Sequence, residues 1–131
     1  MAVAIPDSRP DLAAHERAMR APFPVVVQEL RALLGARLAA YLGGVKETRA
    51  VHEWVEGTRA PGETTRQRLR LALQIALVIA AADGQEVTQA WFQGLNPQLD
   101  DRSPARLLRE GDIDEVGPAV LAAARAFLVG G

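Results

Sequence analysis

Residues 64–82, TTRQRLRLALQIALVIAAA, predict the longest helix of the chain. After the arginines of its first turns, this run is apolar on nearly every side from residue 71 to residue 82, where Gln74 is the one interruption. A helix that is apolar all round is buried all round. The apolar part has 12 residues, whereas a membrane span needs ~20. The stretch therefore predicts the buried central helix of an all-α fold and no membrane partner.

Shorter helices separated by proline and glycine are predicted on both sides of this central helix. Aromatic residues make up 5% of the chain, and no segment alternates as a strand does, while alanine, leucine, arginine and glutamate favour helices. The predicted helices cover residues 11–20, 25–34, 36–42, 47–56, 64–82, 86–92, 104–110 and 113–128. A loose arm with Pro6 and Pro10 precedes them, and Pro118 predicts a kink or a late start of the last helix.

The composition is that of a folded protein without a reactive centre. With 131 residues, 49% of them apolar and 24% charged, the chain is globular rather than disordered. It has no cysteine, and its two histidines, His15 and His52, are too few for a three-histidine metal site. Its two serines, Ser8 and Ser103, lie in the arm and at a helix cap, so neither is an activated nucleophile. We therefore predict no enzyme, no cofactor, no metal and no small-molecule substrate, and a cytoplasmic location.

Residues 38–57, LAAYLGGVKETRAVHEWVEG, predict two short helices joined by a glycine turn. Gly43 and Gly44 permit the turn, and the inward face of the second helix carries Val51 and Trp54. A second helix that projects from the body in this way can enter the major groove of DNA. An ordinary helical hairpin with a solvated outer face is the alternative.

The outer face of this second helix carries both groove-reading side chains and acids. Arginine pairs with guanine edges, and threonine and histidine bond bases or phosphates, whereas three carboxylates nearby repel phosphates. Residues 1–70 carry 11 cationic against 8 acidic side chains, and residues 71–131 carry 4 against 8. The predicted contacts to operator DNA lie in the more basic half and are Lys46, Thr48, Arg49, His52 and Arg59.

The same stretch resembles the Xre-type helix-turn-helix of bacterial antitoxins in its small-residue helix, its glycine-valine turn and the series Val51, Trp54 and Gly57. Residues 90–128 are similar, more specifically, to the C-terminal toxin-binding domain of the Xre/MbcA/ParS antitoxin family. The matching residues are Trp91, Leu95, Asn96, Pro97, Leu99, Ser103, Pro104, Leu107, Leu108, Gly111 and Val116. The resemblance implies an antitoxin that blocks a toxin encoded beside it and represses their shared operon. Toxins of this family consume NAD, as RES-domain enzymes or as ADP-ribosyltransferases.

Candidate toxin contacts lie in the C-terminal half. Arg102, Arg106 and Arg109 are predicted on the exposed side of a short helix, and arginine is favoured at interfaces for its rigid fork. Phe127 and Leu128 belong to an apolar segment that suits insertion into a partner's cleft. A solvated arginine face and a segment that packs on the body are the plainer alternatives. The residues predicted as core in this half are Trp91, Phe92, Leu95 and Leu99.

We predict an all-α, helix-turn-helix-containing bundle with a small C-terminal helical toxin-binding domain. Its parts are an arm with a short helix (1–24), a helix-turn-helix domain with the central helix (25–84) and the toxin-binding domain (85–131). A homodimer is predicted because the aliphatic surface of the central helix exceeds what a small domain covers, and because paired operator half-sites require one. Two alternatives stay open: a stand-alone DNA-binding regulator whose C-terminal half dimerises, and a toxin binder that has lost DNA binding.

Overall fold

The computed structural model describes residues 10–130, in which seven helices and no strand are present. The helices are α1 (Pro10–Arg20), α2 (Phe23–Leu34), α3 (Ala36–Leu42), α4 (Thr48–Glu56), α5 (Glu63–Gln93), α6 (Pro104–Glu110) and α7 (Ile113–Gly130), with a 3-10 turn at Pro97–Leu99. The all-α prediction is confirmed. The predicted arm covers residues 1–10, of which residues 1–9 lie outside the described residues. The prediction is wrong for Pro10, which begins α1 because proline is tolerated in the first helical turn.

Helix α5 is the centre of the bundle, as the sequence predicts. It packs against α1, α2, α3, α6 and α7, and Leu73, Ile75 and Ile79 are fully buried. Gln74, its polar interruption, is buried too, and its side-chain oxygen lies 3.1 Å from His15 Nδ1, so the buried amide has a partner. Of the helices in residues 10–130, α5 is the one that is long and apolar enough to cross a membrane by length and composition. Its packing makes it the core helix of the bundle.

The covering of α5 removes one reason for a dimer. Most of its aliphatic side chains are already buried by helices of the same chain, so the premise that they need a second copy is wrong. The five helices packed against α5 supply the cover that the sequence pattern could not show. A dimer stays a proposal that rests on operator symmetry alone.

A break interrupts α5 at the predicted place. Gly84 has φ +87° and ψ 176°, which is not helical, and the helical segment after it runs on to Gln93. The hydroxyl of Thr88 donates to the Gly84 carbonyl at 2.7 Å and so supports the first turn after the break. The break coincides with the predicted boundary between residues 84 and 85; the division into domains stays a prediction.

The α3–α4 hairpin follows the predicted glycine turn. Helix α4 begins at Thr48, one residue later than predicted, and ends at Gly57 in the left-handed conformation (φ +78°), as predicted. Its inner face buries Ala50, Val51 and Trp54, and the ring of Trp54 lies against the backbone of Gly43. The outer face of α4 therefore points away from the core.

Replacing Gly43 tests this close approach. A Cβ added at Gly43 would lie 2.7 and 2.8 Å from two ring carbons of Trp54, and a buried ring in a packed core has little room to move. We expect Gly43→Ala to lower the free energy of unfolding by about 1–3 kcal/mol, measured by urea unfolding. Gly62→Ala is the matched control, because nothing lies within 4 Å of a Cβ there. Equal stability of the two variants would contradict the packing.

The C-terminal helices begin at side-chain caps. The side chain of Asn96 accepts a hydrogen bond from the Gln98 N–H at 2.9 Å, and the hydroxyl of Ser103 accepts one from the Arg106 N–H at 3.2 Å, as the cap prediction requires. Helix α7 begins at Ile113, before Pro118, so the late start is wrong. Helix α6, which the Ser103 cap begins, packs against α3, α5 and α7.

Candidate functional site

An apolar surface lies where the second part of α5 meets the end of α7. We call it the C-terminal apolar surface, and its members are Val87, Leu95, Phe127, Leu128 and Val129. Leu95 is 77% exposed and Val129 is 90% exposed, which is a large exposure for such side chains. Monomeric proteins seldom leave contiguous apolar side chains in water without a partner to cover them. The surface is therefore the first candidate for a protein interface.

Two clefts flank Phe127 on this surface. One, of about 540 Å³, lies between α5 and α7 and is lined by Val78, Ala81, Ala82, Asp83, Val87, Phe127 and Leu128. The other, of about 400 Å³, is lined by Ala90, Trp91, Gly94, Leu95, Asn96, Pro97, Gln98, Ala126, Phe127 and Gly130. Phe127 lines both, so it forms a ridge between two hollows that apolar side chains of a partner could fill.

Aromatic packing fixes this ridge. The ring centres of Phe127 and Trp91 lie 6.5 Å apart, and those of Trp91 and Phe92 lie 5.3 Å apart with the rings nearly perpendicular at 88°. Phe92 is fully buried, so it anchors the chain of rings in the core. A rigid aromatic ridge loses little conformational entropy when a partner binds.

Leu95 is a functional candidate that sequence reasoning missed. It was predicted as core, together with Trp91, Phe92 and Leu99, and the prediction is confirmed for those three and wrong for Leu95. Gly94 ends α5, and the chain leaves the bundle before the Asn96 cap. The signal was present: Leu95 lies after a terminating glycine, where helical periodicity no longer tells which side chains face inward.

The three predicted toxin-contact arginines do not share one exposed face. Arg102 lies before α6, where its side chain donates to the Leu99 carbonyl, and Arg106 is exposed and paired with Glu110 at 3.2 Å. Arg109 is half-buried: its Nη1 donates to the Tyr41 carbonyl at 2.7 Å, and its guanidinium lies 4.6 Å from the centre of the Tyr41 ring. The predicted exposure of Arg109 is therefore wrong, because this side chain ties α6 to α3.

The five predicted DNA contacts are all exposed at α4 or beside it. Lys46, Thr48 and Arg49 line a common cleft at the start of α4, whereas His52 and Arg59 do not line it. Carboxylates of α4 pair with three of the five: Arg49 and Arg59 with Glu53, at 3.8 and 3.3 Å, and His52 with Glu56 at 3.4 Å. Exposed pairs of this kind contribute about 0–1 kcal/mol, so they compete only weakly with another anion.

Metal-binding side chains are not gathered in the described part of the chain. Residues 10–130 hold no group of three His, Asp or Glu side chains that could bind a metal ion. The indole nitrogens of Trp54, on the inner face of α4, and of Trp91, beside Phe127, are buried without a hydrogen-bond partner in these residues. Both rings are held by packing.

The fold is similar to that of one chain in the crystal structure of the M. tuberculosis MbcT-MbcA toxin-antitoxin complex. The two chains share 25% identity with a TM-score of 0.65, over 82% of this chain and 94% of that one. No family model matches the sequence, and no curated protein is detectably similar to it. The likeness agrees with the all-α architecture of this chain.

Proposed function

We propose that this chain is a cytoplasmic antitoxin that binds a cognate toxin with its C-terminal apolar surface and covers the toxin's active site. The observation that carries the proposal is the combination of an MbcA-like fold with exposed Leu95 and Val129 beside an anchored Phe127 ridge. The resemblance of residues 90–128 to the Xre/MbcA/ParS family extends the proposal to a toxin that consumes NAD. In this proposal the chain inhibits the toxin by covering its active site and does not itself catalyse a reaction.

The apolar surface has the layout of an interface centre. Exposed Leu95 and half-buried Leu128 line the clefts on either side of Phe127, and Arg102 and Arg106 are exposed on the segments that follow Leu95 in the chain. Interfaces are built in this way, with an apolar centre, a polar rim and aromatic and arginine anchors. A toxin with an apolar rim around its NAD cleft would match this layout.

Co-expression tests the antitoxin role. The chain is produced in cells together with the protein encoded by the adjacent gene, and growth is followed. We expect that protein to arrest growth alone and the pair to grow normally. A neighbour that stays toxic at full antitoxin expression would contradict the role, and a stand-alone regulator would give that result.

Operator binding by the α3–α4 hairpin is the second part of the proposal. It is supported by the exposed outer face of α4, with Thr48, Arg49 and His52, and by Lys46 just before it. Paired half-sites imply two copies of the chain on one operator. We propose that a dimer, with or without bound toxin, represses its own operon in this way.

A double variant separates the two activities. We expect Arg49→Ala combined with His52→Ala to rescue growth from the toxin as the unmodified chain does, but to lose the mobility shift of promoter DNA at low salt. Both side chains are exposed, so the fold should survive. If the unmodified chain gives no mobility shift at low salt, the proposed repressor activity is wrong and only toxin binding remains.

A further inference from the structure

Four cationic side chains without a carboxylate partner lie around one helix of the fold, α3. Within residues 10–130, ion pairs hold Arg17, Arg49, Arg59, Arg66, Arg102, Arg106 and Arg125. Seven others form no ion pair in that part of the chain. Four of these, Arg37, Lys46, Arg68 and Arg109, lie around α3, and the other three are Arg20 on α1, Arg31 on α2 and Arg70 on α5. Charges of one sign repel each other, so such a cluster costs free energy unless an anion joins it.

Three of these cations line one cleft of about 740 Å³ between α3, the start of α4 and α6. They are Arg37, Lys46 and Arg109, and Arg49 lines the cleft beside them. The cleft also has two acids, but Glu110 is held by Arg106 at 3.2 Å. Glu47 is then the one acid that faces three cations without an ion pair of its own in residues 10–130, and the cleft is net positive.

The side chain of Arg109 is fixed in position at the cleft by contacts with Tyr41. One of its donors is fixed on the Tyr41 carbonyl and its guanidinium lies over the Tyr41 ring, and its other N–H groups are donors that an anion in the cleft could accept from. Behind it, Arg68 donates to the Leu42 carbonyl at 3.4 Å, and its Nε is buried without a partner in the described residues. Burial, and then the charge of Arg109, lower the pKa of Arg68.

We propose that this cleft binds a phosphate of the DNA backbone, gripped by Arg37, Lys46 and Arg109. The inference rests on the operator-binding part of the proposed function. The first helix of a helix-turn-helix crosses the DNA backbone while the second enters the groove, and here α3 supplies Arg37 beside the start of α4. Because Arg109 belongs to α6, the C-terminal half of the chain takes part in holding DNA.

The test is fluorescence anisotropy of the full chain with its promoter duplex and an unrelated duplex, over a series of salt concentrations. Removing one phosphate contact weakens binding to every sequence alike and lowers the steepness of log affinity against log salt by about one. We expect this from Arg37→Ala and from Lys46→Ala. Arg20→Ala is the matched control: Arg20 is an exposed cation on α1 that does not line the cleft, and its removal should leave the steepness unchanged.

Three results of the salt series would contradict parts of the proposal. If the unmodified chain binds no duplex, both the cleft and the operator-binding part fall. If it binds and Arg37→Ala keeps the same affinity and salt dependence, the cleft alone falls. A loss confined to the promoter duplex would mean base reading and would also overturn the phosphate assignment.

Inorganic phosphate distinguishes the backbone from a free anion. We expect phosphate to compete with the duplex for the unmodified chain more than chloride does at equal ionic strength, and to do so less for Arg37→Ala. Phosphate could raise the free energy of unfolding of the unmodified chain but not of Arg37→Ala, while Arg37→Ala binds DNA normally. That result would mean that the cleft binds a free anion only, and would overturn the proposal. If Arg37→Ala weakens toxin binding but not DNA binding, the cleft binds a carboxylate of the toxin, and the proposal is overturned.

Discussion

Leu95→Asp is expected to weaken toxin binding by about 2–4 kcal/mol, or ~30- to 1000-fold in Kd, while the chain stays folded. Leu95 is 77% exposed, so the substitution changes the free energy of unfolding by only about 0.5 kcal/mol. In the complex the same side chain would be covered, and a buried carboxylate without a partner is costly. Calorimetric titration of the purified toxin measures the difference.

A matched leucine on another face serves as the control. Leu12 on α1 is 46% exposed and does not line either cleft beside Phe127. Leu12→Asp should therefore bind toxin as the unmodified chain does. Full-strength binding by Leu95→Asp, or equal loss in both variants, would place the interface elsewhere.

Phe92→Ala is expected to lower the free energy of unfolding by about 3–5 kcal/mol. Phe92 is fully buried and holds Trp91 edge-on, so its removal leaves a cavity beneath the aromatic ridge. The total free energy of unfolding of a domain of this size is about 5–15 kcal/mol. The folded fraction should therefore fall, and protection against the toxin with it. Urea unfolding followed by circular dichroism measures the change.

Val87→Ala in the same helical segment is the comparison for this substitution. Val87 is 37% exposed, so it loses less burial and leaves no closed cavity, and we expect a loss below about 1 kcal/mol. If Phe92→Ala cost no more than Val87→Ala, Phe92 would not be the anchor of the ridge.

Local pattern was enough to predict the helices. The all-apolar run of α5, the break at Gly84, the left-handed end of α4 at Gly57 and the Ser103 cap are all visible in short stretches of sequence, and the structure confirms them. Each depends on neighbours within one helical turn, where propensity and capping act.

Long-range contacts explain what the pattern could not predict. Arg109 bonds the carbonyl of Tyr41, 68 positions away, so no local stripe shows that its side chain turns inward. The cationic cleft has the same origin, because Arg37, Lys46 and Arg109 meet only when α6 packs on α3. The exposure of Leu95 likewise depends on where the chain leaves α5.

The most direct measurement of the antitoxin role uses the two purified proteins: the NAD-consuming activity of the adjacent gene's product, titrated with this chain. We expect NAD loss to fall to the uncatalysed rate when the antitoxin is in saturating amount, and Leu95→Asp to require a far higher concentration for the same effect. Undiminished NAD loss at saturation, or NAD consumption by this chain alone, would contradict this role.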